Sequence, residues 1–428
     1  MIKHLLKREP GSLRAEIITA AESRATALFW IITVCFMAAI LAGTDFLRVP
    51  TWSDETHYVE TVRLFVNSMT LSTLWGYREM HPPLAYILYA LAGKCFGDHL
   101  WVYRLVSMMC ASSAFFLLFV LMRRTFGAGA VALLSVLFFL VNPYVYGLSV
   151  FVYSDMPGLM FLLAAVAAAV YRKPAAFGFA SAAAMLCRQY NVFVPAAIVV
   201  WALVTPGVSL PRERWRFCVS ALLSLLPVAA IFAFWGDIAP PNGMAAWNPN
   251  REQGFHPAYI VTYCALFSVY ASPAIIASAK ELFSLKRVLA ATAAGVIYFV
   301  FPVRPARLAS EHGIDTVGFF HKAVKYITGG NAVAEQFLFY CAFVVSIVVL
   351  FGLFMSTITA LRTRSRRAPY LLLFGILTCF FLGIMSCSFF VWEKYLVPVI
   401  PFFTGWILLS RQELRERREA ATAAGSLK

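Results

Sequence analysis

Long apolar runs separated by short polar punctuation recur along the chain from Thr26 to Ser410. Twelve can be drawn, at roughly 26–46, 100–122, 128–149, 156–171, 174–188, 191–206, 215–235, 257–279, 286–302, 336–361, 369–390 and 394–410. Many approach the ~20 residues that a helix needs to cross a bilayer. The predicted fold is therefore all-α, a polytopic transmembrane helical bundle of about 12 spans, with a head at 1–25, a membrane domain at 26–410 and a tail at 411–428. After Ser53 the period changes: Tyr58, Val62, Phe65, Val66 and Met69 recur at helical spacing between polar residues, which predicts an amphipathic helix along the membrane surface. A second interfacial or re-entrant helix is expected over Leu84 to Phe96, started by Pro82 and Pro83.

Composition narrows the class. Of 428 residues, 61% are hydrophobic and 13% charged, against ~25% charged in soluble domains. With a mean hydropathy of +0.74, soluble, disordered and collagen-like chains are excluded. The nine cysteines stand singly, without CxxC or a neighbouring His, and read as small core residues rather than a disulfide frame or zinc site. The run after the basic head lacks a clear small-residue cleavage site, so it reads as an uncleaved first span. A net charge of +15 would suggest nucleic acid in a soluble chain. Here a cytoplasmic N-terminus gathers most basic residues into short inner turns such as Arg123/Arg124 and Arg172/Lys173, and leaves most acids outside. That positive-inside asymmetry accounts for the charge without nucleic acid, and places both termini in the cytoplasm.

The chemistry-bearing residues gather on the outer side, in long segments at 47–99, 236–256 and 302–335 and in two tight turns. Asp54 and Glu55 open the first amphipathic helix, where they either complement its dipole or serve as a general base or cation site. His81 precedes two prolines and reads as a cap or a phosphate contact, and Lys94 and Arg104 either snorkel to head groups or meet a phosphate. Asp155, with Ser154 before it and Pro157 just after, is an N-cap or a second catalytic carboxylate. Arg188, Gln189, Tyr190 and Asn191 crowd one short hairpin, which suggests a polar pocket. The last turn brings Trp392, Glu393, Lys394 and Tyr395 to the interface, where Trp, Lys and Tyr are ordinary anchors and the lysine is also well placed for a lipid phosphate. Arg251, Glu252, His256, Arg304, Arg307, His312 and His321 are available without an assigned role.

In order, SDETHY, HPPLAYILYALAGKCFG, VYRLVS, RRTFG, YSDMPGLMFLLAA and EKYLVPVIPFF resemble the GT-C glycosyltransferases. The likeness is to the protein O-mannosyltransferase and aminoarabinose-transferase group with its bacterial lipopolysaccharide-sugar transferases. DETHYVETVR and CRQYNVFVP add a shorter echo of the dolichol-linked alpha-1,2-glucosyltransferase. The resemblance covers Thr26 to Trp201 well and the stretch from there to Phe390 thinly. It implies a GT-C-type fold and an inverting transfer of a sugar from a polyprenyl-phosphate donor to a lipid, glycan or protein acceptor at the outer membrane surface. It further implies Asp54 as base, with Glu55 and Asp155 orienting the acceptor or base or holding an optional divalent cation. Lys394, Arg188, His81 and Arg104 would receive the departing phosphate, and His57, Tyr58, Gln189 and Tyr395 would line the acceptor pocket. No Gly-rich nucleotide loop is visible, as a lipid-linked donor requires. The chain is short beside the mannosyltransferases, without their large soluble C-terminal domain, so the family's acceptor does not carry over, and Lys stands at position 394 where Arg is often found, which weakens the phosphate assignment.

The short loops and the resemblance together favour a bacterial inner membrane, with the site facing the periplasm. A transporter or flippase for a lipid-linked saccharide is the main alternative, and would show inverted repeats, interrupted helices and ionisable residues near the midplane. A non-catalytic scaffold is the third reading, and leaves the clustered outer acids unexplained.

Overall fold

The computed structural model describes residues 10–205, 211–247, 254–311 and 313–425. Every regular element among them is helical. Arg251, Glu252 and His312 lie outside the described residues. The first helix, α1 (Pro10–Gly43), ends in a turn in which Asp45, Phe46 and Leu47 all have positive φ. Next come α2 (Glu55–Asn67) and α3 (Leu84–Phe96), packed on each other. Of the stripe expected from the spacing, Tyr58, Val62 and Phe65 are buried on α2 together with Val59, Val66 is half-buried, and Met69 lies beyond the helix and is exposed. α3 begins directly after Pro83, as the double proline predicts.

The bundle proper follows: α4 (Leu100–Phe126), α5 (Gly129–Leu140), α6 (Pro143–Val150), α7 (Asp155–Val170), α8 (Pro174–Cys187), α9 (Phe193–Val204) and α10 (Pro211–Trp235). Its second half holds α11 (Pro257–Tyr270), α12 (Ser272–Leu282), the short helix α13 (Phe319–Ile327), α14 (Ala332–Arg362), α15 (Ala368–Met385) and α16 (Ile400–Gly425). The halves join where α9 packs on α15.

Twelve uniform spans are not what forms. Among the described residues five helices are individually long and apolar enough to cross a membrane, or up to seven if each bent pair is one span. The run expected at 128–149 breaks by 80° between α5 and α6, where Asn142 caps the new helix and Pro143 cannot continue the old one. The run at 257–279 breaks by 89° between α11 and α12. The 16, 14 and 12 residues of α7, α8 and α9 reach only ~24, 21 and 18 Å at 1.5 Å per residue. Each falls short of the ~30 Å hydrocarbon layer. Their shared end, carrying Asp155 and the Arg188 hairpin, is held inside the protein rather than at its surface. The Ala-rich stretch packs tightly, as small residues allow: a Cβ on Gly178 of α8 would stand 3.0 Å from the Ser220 carbonyl oxygen of α10.

Candidate active site

Asp54 and Glu55 are sequence neighbours with different surroundings. Glu55 is fully buried. Its carboxylate accepts from Arg104 Nε at 2.9 Å and Nη2 at 2.6 Å, and from the backbone N–H of Val152 at 3.0 Å. Arg104, equally buried, donates further to the carbonyls of Leu47 at 3.0 Å, Val49 at 2.6 Å and Pro50 at 3.1 Å. Those carbonyls follow the left-handed turn of Asp45–Leu47, a conformation that costs about 1–2 kcal/mol per non-glycine residue. Arg104 thus braces the strained exit from α1, while Glu55 ties α2 to α4 and to the approach to α7. Neither lines the two cavities that meet beside Asp54. A phosphate role for Arg104 and a catalytic one for Glu55 do not fit this geometry, because every polar arm is already used inside the protein.

Asp54 faces outward, its side chain 42% exposed, and accepts from Lys394 Nζ at 2.8 Å. Lys394 is brought there by the short turn Glu393–Leu396 before α16, and its ammonium also lies 5.4 Å from the Tyr153 ring centroid. Burial pulls the Asp54 carboxyl upward, but Lys394, His57 and Ser53 outweigh it and hold it below the ordinary carboxylate range. For Lys394 burial works against the charge, and Asp54, Tyr395 and Asp155 reverse that, holding its pKa above the ordinary lysine value. Two cavities meet at this ion pair. The larger, about 530 Å³, is lined by aromatic side chains including Trp52, Tyr144, Tyr153 and Phe319, with Asp315 and Lys322 at its polar side. The smaller, about 110 Å³, is lined by His57, Tyr58, Glu79, His81 and Tyr395 among others. Asp54, Lys394, Ile314 and Trp392 belong to both.

Beneath the smaller cavity, Asp155 pairs with Arg188 Nη2, both nearly inaccessible. Neither Ser154 nor Asp155 caps α7 with its side chain. Arg188 Nη1 donates to His81 Nε2 at 2.7 Å, which leaves His81 Nδ1 to carry the proton toward the Tyr86 hydroxyl at 3.3 Å. Burial, then the charges of Arg188 and Lys394, hold His81 well below the ordinary histidine value, so it stays neutral. Gln189 Nε2 donates to the Met80 carbonyl at 2.8 Å, and Tyr190 packs against Tyr395. Arg188 lines neither cavity, and its charge is matched by Asp155. These residues shape the floor of the site, and of the four expected phosphate ligands only Lys394 brings a cation, paired with Asp54, to the wall of a cavity.

Two acids escaped assignment from sequence. Glu79 is buried and accepts from the His57 ring Nδ1 at 2.7 Å and from the Thr61 hydroxyl at 3.4 Å. Its adjacency to the HPP run is the only local signal. Glu393, which the sequence places at the interface without a role, is fully buried. It accepts from the Tyr144 hydroxyl at 3.2 Å, the Tyr270 hydroxyl, and the backbone N–H groups of Phe320 and His321, each at 2.9 Å. Nothing nearby in sequence shows that it caps α13. His321 Nδ1 accepts from the Val317 N–H at 3.1 Å and its Nε2 lies 2.8 Å from Glu335. The carboxylates expected to hold an optional divalent cation do not favour one, since Glu55 and Asp155 are each neutralised by a buried arginine. Among the described residues no three His, Cys, Asp or Glu side chains converge on a metal-sized site.

The family model for dolichyl-phosphate-mannose-protein mannosyltransferase matches residues 80–235. The resemblance to GT-C membrane glycosyltransferases is thus shown, carried by that stretch. It takes in His81, Asp155 and Arg188, whereas Asp54 and Lys394 lie outside it. Among solved structures the chain is similar to ArnT from Cupriavidus metallidurans in the apo state, with a TM-score of 0.44 at 16% identity, over 91% of this chain and 78% of that one. It is likewise similar to the same enzyme bound to undecaprenyl phosphate, with a TM-score of 0.45 at 16% identity, over 92% and 78%. No curated protein matches the sequence significantly.

Proposed function

We propose that this multi-pass membrane protein is an inverting glycosyltransferase that moves a sugar from a polyprenyl-phosphate donor to a hydroxyl acceptor on the non-cytoplasmic face. The observation that carries the reading is the Asp54–Lys394 pair standing where two cavities meet. An acid and a base at one junction suit a displacement with a hydroxyl on one side and a phosphate on the other. Asp54 takes the acceptor proton as the hydroxyl oxygen bonds to the anomeric carbon, and the carbon–oxygen bond to phosphate breaks with its electron pair on the phosphate. Lys394 meets the charge that develops there, and such electrostatic stabilisation is the larger part of many rate enhancements. A donor phosphate that shares Lys394 also loosens its hold on Asp54, making the carboxylate a better base once the donor is bound. The family match over 80–235 supports the donor class, because its description names a sugar carried on a polyprenyl phosphate.

Transport of a lipid-linked saccharide is the second reading, favoured by the two bent helix pairs, since interrupted helices line many transporter sites. Mass spectrometry of lipid-linked and surface glycans separates the two, using cells lacking the protein and cells complemented with wild type or Asp54→Asn. Loss of one sugar from the acceptor, restored by wild type but not by abundant Asp54→Asn, supports transfer. Restoration by both removes Asp54 from the chemistry, and loss of the sugar in intact deletion cells but not in broken membranes, where the donor reaches both faces, moves transport ahead.

A further inference from the structure

We propose that His57, oriented by Glu79, is the proton acceptor that discharges Asp54, so that the site works through a Glu79–His57–Asp54 relay. This rests on the glycosyl-transfer reading and adds a route for the proton. Asp54 and His57 stand one turn apart on the rim of α2, with Asp54 Oδ1 and His57 Nε2 4.0 Å apart and both side chains 42% exposed toward the smaller cavity. That gap is closed by a small rotation or by one water. On its other side the ring is fixed: Nδ1 lies 2.7 Å from the buried carboxylate of Glu79, which assigns the ring proton to Nδ1 and leaves the Nε2 lone pair facing Asp54. A carboxylate that is nearly inaccessible, aligned on an imidazole whose far nitrogen faces the cavity, is the arrangement that orients a histidine base and stabilises its imidazolium.

The remaining groups around the ring act in both directions. Burial lowers the His57 pKa; the hydrogen bond and charge of Glu79 and the charge of Asp54 raise it; Lys394 opposes them; the net is above the ordinary value of 6.5. Tyr58 packs edge-on against the ring at 4.6 Å between centroids, and neutral His81 lines the same cavity. The consequence is a downhill path. Asp54, held acidic by Lys394, is a poor final resting place for a proton, whereas His57 is a good one. The acceptor O–H bond breaks, its proton passes through an Asp54 oxygen to His57 Nε2, and the ring becomes an imidazolium paired with Glu79. No redox partner or further reactant is needed, and solvent at the exposed ring edge restores the neutral form.

The test measures glycan formation in membranes from complemented cells, whose own lipids supply the donor, across a pH series. Wild type is expected to lose rate as pH falls through the titration of a group above 6.5. His57→Ala and His57→Gln should both fall about 10²-fold, the usual scale of a general base, and lose that acid limb. Glu79→Gln should keep the limb but move it to lower pH. Imidazole added to His57→Ala should restore part of the rate. The Gln variant is decisive, because it can keep the hydrogen bond to Glu79 without accepting a proton: full activity there means that His57 only positions, and overturns the relay. Full activity of His57→Ala beside inactive Asp54→Asn overturns the relay and leaves the transferase standing, whereas a glycan unaffected by loss of the whole protein overturns both. Nitrogen NMR of labelled histidine gives an activity-free check: a His57 titration that Glu79→Gln leaves unmoved also overturns it.

Discussion

At the scale of single residues, the SDE run shows how far one position changes a carboxylate's task. Glu55 is consumed in a dry bracket with Arg104, and Asp54 is left at the cavity junction. Removing one partner of a buried pair costs about 3–5 kcal/mol, but the two partners differ here. Arg104→Met leaves a bare Glu55 charge and strips donors from three carbonyls at the strained α1 exit. Glu55→Gln keeps an oxygen for the Val152 N–H. Thermal unfolding in detergent should therefore show Arg104→Met as the more damaging change, with Asp54→Asn close to wild type because that side chain is half exposed. Equal losses for the two would mean that the bracket holds only the charge pair and not the turn. The pH dependence of His57 has a definite sign as well. Its pKa is higher folded than unfolded, so its contribution to stability is full below about 6.5 and fades as pH rises through the folded value. The relay needs the neutral ring, so transfer rate should rise over the window in which that stability contribution declines. Thermal scans and rate profiles of wild type and His57→Ala on one pH grid would show the opposed trends vanish together in the variant.

Among the elements, the segment Gly313–Ile327 owes its place to Glu393. The carboxylate caps the N-terminus of α13, takes both tyrosine hydroxyls, and sits next to Lys394 in sequence, so the wall of the larger cavity and the ammonium of the site hang from one turn. Gly318, at φ 149°, lies so close to the Glu393 side chain and the Tyr144 hydroxyl that no Cβ fits. Hydrogen bonds to a charged group contribute about 1.5–3 kcal/mol each, so Glu393→Gln, with an NH2 forced against donors, should release this segment. Limited proteolysis is expected to cut within 313–321 in Glu393→Gln and Gly318→Ala while sparing wild type, and donor KM should rise more than kcat falls. Resistance equal to wild type would show that the segment is held by its other contacts. The amphipathic α2 and the start of α3 after Pro83 were legible in the sequence because period and proline act locally. The Glu393 cap and the Glu79–His57 pair were not, because they join residues 72 or more and 22 positions apart through burial that no local pattern records. Arg104 failed for the converse reason: an arginine near a helix start looks the same whether it meets a lipid phosphate or carbonyls 54 to 57 residues away.

For the whole molecule the open quantity is direction. The basic turns Arg123/Arg124 and Arg172/Lys173 lie at the ends of α4 and α7, whereas Asp54, Asp155 and Lys394 gather near the start of α2, the start of α7 and the approach to α16. α4 and α7 therefore each carry basic residues at one end and lie beside the candidate site at the other, and positive residues stay in the cytoplasm. On the proposed function the site is therefore expected at the outer face even though the span count is uneven, because the short α7, α8 and α9 and the two bent pairs change how deeply each helix reaches without reversing which end is basic. A fluorescent protein fused after Lys428 should fluoresce, as it does only when folded in the cytoplasm, and alkaline phosphatase fused there should be inactive. A cysteine at Asn67, exposed at the end of α2, should react with a membrane-impermeant maleimide in intact cells, and one at exposed Lys173 should react only after lysis. The reverse labelling pattern would turn the site toward the cytoplasm, where nucleotide sugars rather than outward-facing lipid-linked ones are at hand, and would remove the physical reason for a polyprenyl-phosphate donor.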